Sequence, residues 1–436
     1  MSGRVLVLGL GVTGRAVMDA LVRRDVEVLG VDDRPGAVAR ACAERLAVEL
    51  VEAPAPGDWP RLVGRATEVV VAPGIPDGHP LFAAAEAAGV VVLDESDLAA
   101  RWDDRPRCAV TGTNGKTTVV TLVADMLERS GLRALPSGNT DTPLVAAIDD
   151  AEADLFVVEA SSFRLGHAAN FAASPAVWLN FAPDHLDVHA DLASYEDAKA
   201  RIWEGIASPP DAVANLGDPV VAARAPAGAT GFGAPDAACR IESGLLLLDG
   251  SPVVEVAALP RSMPHDLENA QAACAVAVRS GATVEACADS LRGFGGLEHR
   301  MSFVAEVDGV RYVDDSKATT PHAALTALSG LPGAVLIAGG RNKGLDLTRL
   351  ADGRPGAVVA IGEAADAVAA AFDGRCPVVV ASSMEEAVRA ARRSAAGTGT
   401  VLLSPGCSSF DWYGSYADRG RDFQRIVRSL AGTGEA

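Results

Sequence analysis

Seven cysteines are scattered through 436 residues without one C-x-x-C pair, and an odd one is left over. That spacing offers no metal framework and suits a reducing cytosol. No apolar stretch reaches the length that spans a bilayer, and Met1-Ser2-Gly3-Arg4 leads into a strand-like run without a signal-type apolar segment. A cytoplasmic protein without membrane insertion is expected. Basic residues are the minority, 38 against 57 acidic ones, for a net charge of −19. This argues against a nucleic-acid binder, which needs clustered cations on phosphates. An anionic small molecule is still admissible where local amides or lysines hold it. Aromatics are few, Ala, Val, Gly and Leu abundant, and the length allows two to four domains, each with its own core.

What is present is organised around Cys108-Ala109-Val110-Thr111-Gly112-Thr113-Asn114-Gly115-Lys116-Thr117-Thr118. An apolar strand ends in a glycine turn, then a lysine and two hydroxyls open a helix over 117–129. This is the layout of a phosphate-binding loop, in which backbone amides and a helix N-terminus face an anion, the lysine reaches the terminal phosphates and a hydroxyl meets Mg²⁺. The usual G-x-x-x-x-G-K pattern is broken, since Val110 stands where its first glycine belongs.

At the N-terminus, strand Val5–Leu8 runs into Gly9-Leu10-Gly11-Val12-Thr13-Gly14, and a second strand ends at Asp32-Asp33-Arg34. Glycines so spaced, with an acid one strand later, admit an NAD(P) site or any nucleotide diphosphate. Val69–Val71 leads to the turn Ala72-Pro73-Gly74, and further α/β units end at the polar, hinge-like Asp103-Asp104-Arg105-Pro106.

Beyond the loop, strand Leu155–Glu159 ends on a carboxylate, where the strand C-termini of a parallel sheet meet their ligand. An acid there serves best as a Mg²⁺ ligand. Asp184-His185-Leu186-Asp187-Val188-His189 follows a strand at 176–180, and a helix over 194–206 carries Lys199. His265-Asp266-x-x-Asn269 opens an alanine-rich helix, and Phe294 to Met301 reads as the crossing into a last parallel unit. Asp308-Gly309 predicts a hairpin turn. The strand-end loops that follow are Asp314-Asp315-Ser316-Lys317-Ala318-Thr319, Gly339-Gly340-Arg341-Asn342-Lys343 and Ser404-Pro405-Gly406-Cys407-Ser408-Ser409-Phe410-Asp411.

In order and spacing, Gly112–Thr117, Gly138-Asn139, Glu159-Ala160-Ser161-Ser162-Phe163, Asp184-His185-Leu186-Asp187-x-His189 and Tyr195-x-x-Ala198-Lys199 resemble the Mur ligases over essentially the whole chain. The likeness is strongest to members that join D-glutamate to UDP-N-acetylmuramoyl-L-alanine. It implies an α/β protein of three domains: a Rossmann-like UDP-binding domain over 1–105, a central P-loop ATPase domain over 106–297 and a Rossmann-like amino-acid-binding domain over 298–436. It further implies that ATP phosphorylates the acceptor carboxylate, that the amine attacks the acyl phosphate, and that peptidoglycan precursor is the product.

Residue roles follow from the same resemblance. Lys116, Glu159, His185 and Lys199 would be catalytic. Gly112, Thr113, Asn114, Gly115, Lys116, Thr117, Thr118, Asn269, Arg300 and Asp315 would hold ATP, the last three from its far side, so that closure of the third domain assembles the site. Thr117 and Glu159 would serve one Mg²⁺, His185 and Lys199 a second, with Lys199 carbamylated by CO₂ because an ammonium cannot ligate a cation. Gly11, Val12, Thr13, Gly14, Asp32, Asp33, Arg34, Pro73, Gly74, Asn139 and His185 would bind the UDP-sugar. Thr319, Lys343, Ser409, Phe410 and Tyr416 would receive the amino acid. A monomer is expected.

Five positions depart from the family pattern: Asp141, Arg164, Thr140, Asp266 and Thr320. The first two are expected to border the acceptor pocket, which keeps L-glutamate or a variant muramoyl acceptor in play. Other ATP-dependent amide ligases, MurC-like or folylpolyglutamate-synthase-like, are the nearest rivals, although Asp32-Asp33-Arg34 counts against folate. An NAD(P)-dependent oxidoreductase and a non-catalytic nucleotide sensor are the readings from other classes.

Overall fold

The structure is a computed structural model that describes residues 3–140, 142–169, 171–185, 188–395 and 399–432. Asp141, Leu186 and Asp187 thus lie outside the described residues. The chain forms two compact bodies: residues 1–181, 185–262 and 266–294 make one, and 295–436 with the short stretches 182–184 and 263–265 make the other. No helix among the described residues is long and apolar enough to cross a membrane.

The first body holds two sheets. The N-terminal one is five-stranded and parallel, ordered Glu49–Glu52, Val28–Asp32, Val5–Leu8, Glu68–Val71, Val91–Leu93. Its central strand is buried on both faces, as its unbroken Val/Leu run requires. The order reverses beside Val5–Leu8, the kind of switch point where a crevice opens beyond the strand ends. Gly14 is needed there for close packing, because a Cβ on it would lie 1.9 Å from the Gly9 carbonyl oxygen.

The second sheet has nine strands, with Arg107–Thr111 between Ala176–Trp178 and Leu155–Glu159 and all three parallel. Alternation along the strands feeds two cores. Val110, Val157 and Val177 face the helices Lys116–Arg129 and Pro264–Arg279, whereas Ala109, Phe156, Val158 and Trp178 face Leu144, Leu165 and Trp203 on the other side. In Lys116–Arg129, Val119, Val123, Met126 and Leu127 recur at helical spacing and are all buried. The helix expected over 194–206 is shorter, Leu192–Ala200 followed by a 3₁₀ turn Arg201–Trp203. Five strands between Ala212 and Glu255 extend the sheet, the last three joined by two antiparallel hairpins. Their short runs carry too little periodicity to be read from sequence.

The hinge-like linker is fastened. Arg105 pairs with Asp103 at 2.7 Å and donates to the carbonyls of Ile148, Asp150 and Ala153 at 2.5, 2.6 and 3.0 Å.

The second body is a six-stranded sheet ordered Ser302–Val307, Val310–Asp314, Thr400–Leu403, Val335–Gly339, Ala357–Ile361, Val378–Ala381. Only the Asp308-Gly309 hairpin pair is antiparallel, with both turn residues at positive φ (50° and 76°). Thr320, one of the atypical positions, has a local reason: its hydroxyl accepts the Ala323 N–H at 3.3 Å and caps Pro321–Ser329.

Candidate active site

The loop after Arg107–Thr111 is held by its neighbours. Asn180, at the end of the adjacent strand, accepts the Asn114 N–H at 2.9 Å on its side chain, donates back to the Asn114 carbonyl at 3.2 Å, and takes the Thr113 N–H at 3.1 Å on its backbone oxygen. Sequence reading assigned Asn180 no role, and an amide at the end of the strand next to the loop strand was the available signal. Gly115 has φ +86°, and a Cβ there would meet the Asn269 Oδ1 at 2.5 Å, so glycine is what lets Asn269 lie against the loop.

Lys116 Nζ donates to the carbonyls of Gly112 and Thr113 at 2.7 and 3.1 Å. Lys199 Nζ, from a residue only 1% exposed, donates to the same Gly112 oxygen at 3.0 Å and lies 4.8 Å over the Tyr195 ring. Two ammonium groups therefore converge on one carbonyl. Thr117 Oγ1 donates to Glu159 Oε2 at 2.8 Å, and Asn139 Nδ2 donates to Glu159 Oε1 at 3.2 Å. This hydroxyl–carboxylate pair is the hard oxygen donor set that Mg²⁺ takes. His185, at φ +57°, lies edge-on to Phe163 with centroids 4.6 Å apart and edge-on to Tyr195 at 6.0 Å. His189 bonds Ser162 Oγ at 2.9 Å through Nε2. Lys116, Thr117, Glu159, Asn139, His185 and Lys199, spread over more than eighty residues, are thus gathered about one loop.

Thr118 and Asn269 line a small pocket with Leu122, Leu259, Arg261 and Asp266. Asp266 pairs with Arg261 at 3.0 Å, which accounts for an acid at that position.

In the N-terminal sheet, Asp32 accepts the N–H groups of Leu10 and Arg34 at 2.6 and 2.8 Å, and so fastens the glycine turn to its own strand end. Gly74 turns at φ +91°, and Val12 is exposed.

Arg164 differs from expectation. It is fully buried, and its Nη1 donates to Asp94 Oδ1 at 2.8 Å and to Glu95. Glu95 in turn accepts the Leu144 and Val145 N–H groups at 3.0 and 2.6 Å. Arg164 therefore does not border an acceptor pocket; it bolts the N-terminal sheet's last helix to the central sheet. Burial pushes the Glu95 carboxyl up, Arg164 and the two amides pull the other way, and burial prevails.

On the second body, Asp315 accepts the Met301 N–H at 3.2 Å and the Ser404 hydroxyl at 2.8 Å. Burial pushes its carboxyl up to about 7, against the pull of these donors and of Arg300. Between the ordinary value of 3.8 and about 7 the folded state keeps a proton that the unfolded chain has released, so this group's stabilisation is lost as pH rises through that window. Asp315→Asn should flatten the pH dependence, with a relative gain in denaturant midpoint at pH 8 over pH 5. An unchanged pH slope would count against the buried proton. Lys317 Nζ stands 3.8 Å over the Tyr416 ring. Lys343 and Phe410 are exposed at strand ends, Thr319 is half-buried, and Ser409 points into the body.

Three family models match in series: the MurD-like N-terminal domain over residues 3–94, the Mur ligase middle domain over 110–277 and the Mur ligase glutamate ligase domain over 299–407. Relatives named UDP-N-acetylmuramoylalanine–D-glutamate ligase from Frankia casuarinae and Methylococcus capsulatus are 41% and 40% identical, with 98% of this chain and 94% and 95% of theirs covered. Among solved structures, a pseudomurein peptide ligase type C from Methanothermus fervidus aligns with a TM-score of 0.62 at 17% identity, over 98% of this chain and 100% of that one. The UDP-N-acetylmuramate–alanine ligase of Thermotoga maritima aligns at 0.60 and 16%, over 98% and 99%. These structures share the fold. The chain belongs to the Mur ligase family, and is a ligase, a class that works with ATP.

Proposed function

We propose that this enzyme joins D-glutamate to UDP-N-acetylmuramoyl-L-alanine with consumption of ATP, in peptidoglycan precursor synthesis. The observation that carries the reading is the convergence of Lys116, Thr117, Glu159 and Lys199 on one glycine loop, in a chain matched end to end by relatives of that name. A carboxylate oxygen is a poor leaving group, so the acceptor carboxylate first attacks the γ-phosphorus of ATP, and ADP leaves as the acyl phosphate forms. The amine nitrogen then attacks the acyl carbon, the C–N bond forms, phosphate departs and the ammonium proton is lost to solvent. The protein's part is positioning and charge neutralisation.

Lys116 and the loop amides hold the β- and γ-phosphates, and the nucleoside lies toward Thr118 and Asn269. Thr117 and Glu159 suit one Mg²⁺, which would neutralise phosphate charge, while Asn139 fixes the carboxylate. His185 and Lys199 would serve a second, with Lys199 as its carbamate. Its support is electrostatic: a buried ammonium beside Lys116 is a like-charge pair, whereas a carbamate there has opposite charge. In the second body, Arg300 and Asp315 are assigned to ATP and Thr319, Lys343, Ser409, Phe410 and Tyr416 to the amino acid. Domains over 1–105, 106–297 and 298–436 divide this labour.

The test is ADP release with UDP-MurNAc-L-Ala and either D- or L-glutamate. Turnover with D-glutamate alone is expected, and ATP turnover indifferent to every UDP-muramoyl acceptor would sink the reading. Lys199→Ala should lose activity and regain part of it with added acetate or formate. Full activity in that variant would remove Lys199 from the mechanism.

A further inference from the structure

Two adjacent acids end the strand Val28–Asp32, and the fold treats them differently. Both Asp32 oxygens are engaged by the backbone N–H groups of Leu10 and Arg34. Asp33 is 50% exposed at the mouth of the sheet, and its Oδ2 lies 3.2 Å from His79 Nε2. His79 comes from a different unit of the fold, the turn before the helix Pro80–Ala88, which it caps by accepting the Leu81 N–H at 3.2 Å on Nδ1. A ring nitrogen that accepts carries no proton, so the helix cap places the proton on Nε2 and makes that nitrogen the donor to Asp33. The ring is held as well as tautomerised. It is 10% exposed and stands edge-on to the buried Trp59 at 4.8 Å and 80°.

We infer that His79 is a positioning residue for the acceptor's nucleoside, acting through Asp33. A carboxylate fixed by one oxygen presents the other as an acceptor in a set direction, which suits the hydroxyls of a ribose or the imide N–H of a uracil. The inference rests on the UDP-sugar reading of this domain. It adds that the direction of the acid is set by a helix cap more than forty residues away, and that cap and acid are separable.

The separation gives the test. Asn reproduces the Nδ1 position and is a preferred N-cap, but it is too short to reach Asp33. Gln reproduces the Nε2 position and caps poorly. His79→Asn should raise KM for UDP-MurNAc-L-Ala about fivefold, the effect of one hydrogen bond. Its kcat, its KM for ATP and glutamate and its melting temperature should stay as in the parent. His79→Gln should show the converse, a lower melting temperature with acceptor KM nearer the parent. Asp33→Ala should raise acceptor KM at least as much, and adding His79→Asn to it should change nothing further. A rise with Asp33→Ala but none with His79→Asn would overturn the inference and leave the UDP reading standing. So would a His79→Asn effect that adds to that of Asp33→Ala, or one that falls on all substrates together. Unchanged acceptor KM in Asp33→Ala would overturn the UDP reading itself, and the inference with it.

Discussion

Arg164→Met is expected to destabilise the first body by about 3–5 kcal/mol, the usual cost of removing one partner from a buried ion pair. The guanidinium is the cation that faces Asp94 and Glu95 in a region closed to solvent. Without it, two carboxylates face each other with, among the described residues, backbone and hydroxyl donors to satisfy them. Glu95→Gln in the same chain should recover part of the loss, because an amide needs no counter-charge while its oxygen still accepts the Leu144 or Val145 N–H. A double-mutant cycle on denaturant midpoints reads the coupling. A loss below about 1 kcal/mol for Arg164→Met, the level of an exposed pair, would show that the cluster does not join the two sheets. The companion expectation is that acceptor specificity is unaltered in any folded Arg164 variant, since the side chain faces the N-terminal sheet's helix.

The second large effect is chemical. Lys116→Ala should lower kcat by about 10²–10³-fold or more, the scale on which a preorganised donor to developing charge acts, with thermal stability close to that of the parent. Lys116 donates to the loop carbonyls of Gly112 and Thr113 and is not part of the central sheet's apolar core. Steady-state ADP release with saturating acceptor and glutamate measures it. Retention of a tenth of the activity would remove Lys116 from phosphoryl transfer.

Much of this site was legible before the fold was known, because its parts are contiguous. Gly112 to Thr118 encode strand, turn and helix start within one stretch, and the backbone that cradles a phosphate follows from those local conformations. The same holds for the glycine turn at Gly9–Gly14 and the hairpin at Asp308-Gly309. What could not be read is what depends on distant partners. Asn180 braces the loop from 66 residues away. Arg164 looked like a pocket residue because its neighbours Ser161 to Phe163 belong to the site, yet one helical turn sends its side chain inward, to acids some seventy residues earlier. The strands between Ala212 and Glu255 escaped notice because they run only three to five residues each.

By itself the sequence determined the order of the α/β units, the phosphate loop, the carboxylate at the end of its neighbouring strand and the family to which the chain belongs. These rest on local backbone preference and on alternation along strands, which neighbouring residues specify among themselves. Only the tertiary structure decided which of two adjacent acids is bound to the backbone and which is presented, that Arg164 is a bolt, and that Lys116 and Lys199 meet at one carbonyl. Burial and charge pairing are properties of residues brought together from far apart, and a carboxylate or guanidinium takes its role from the partners and the dielectric it meets there.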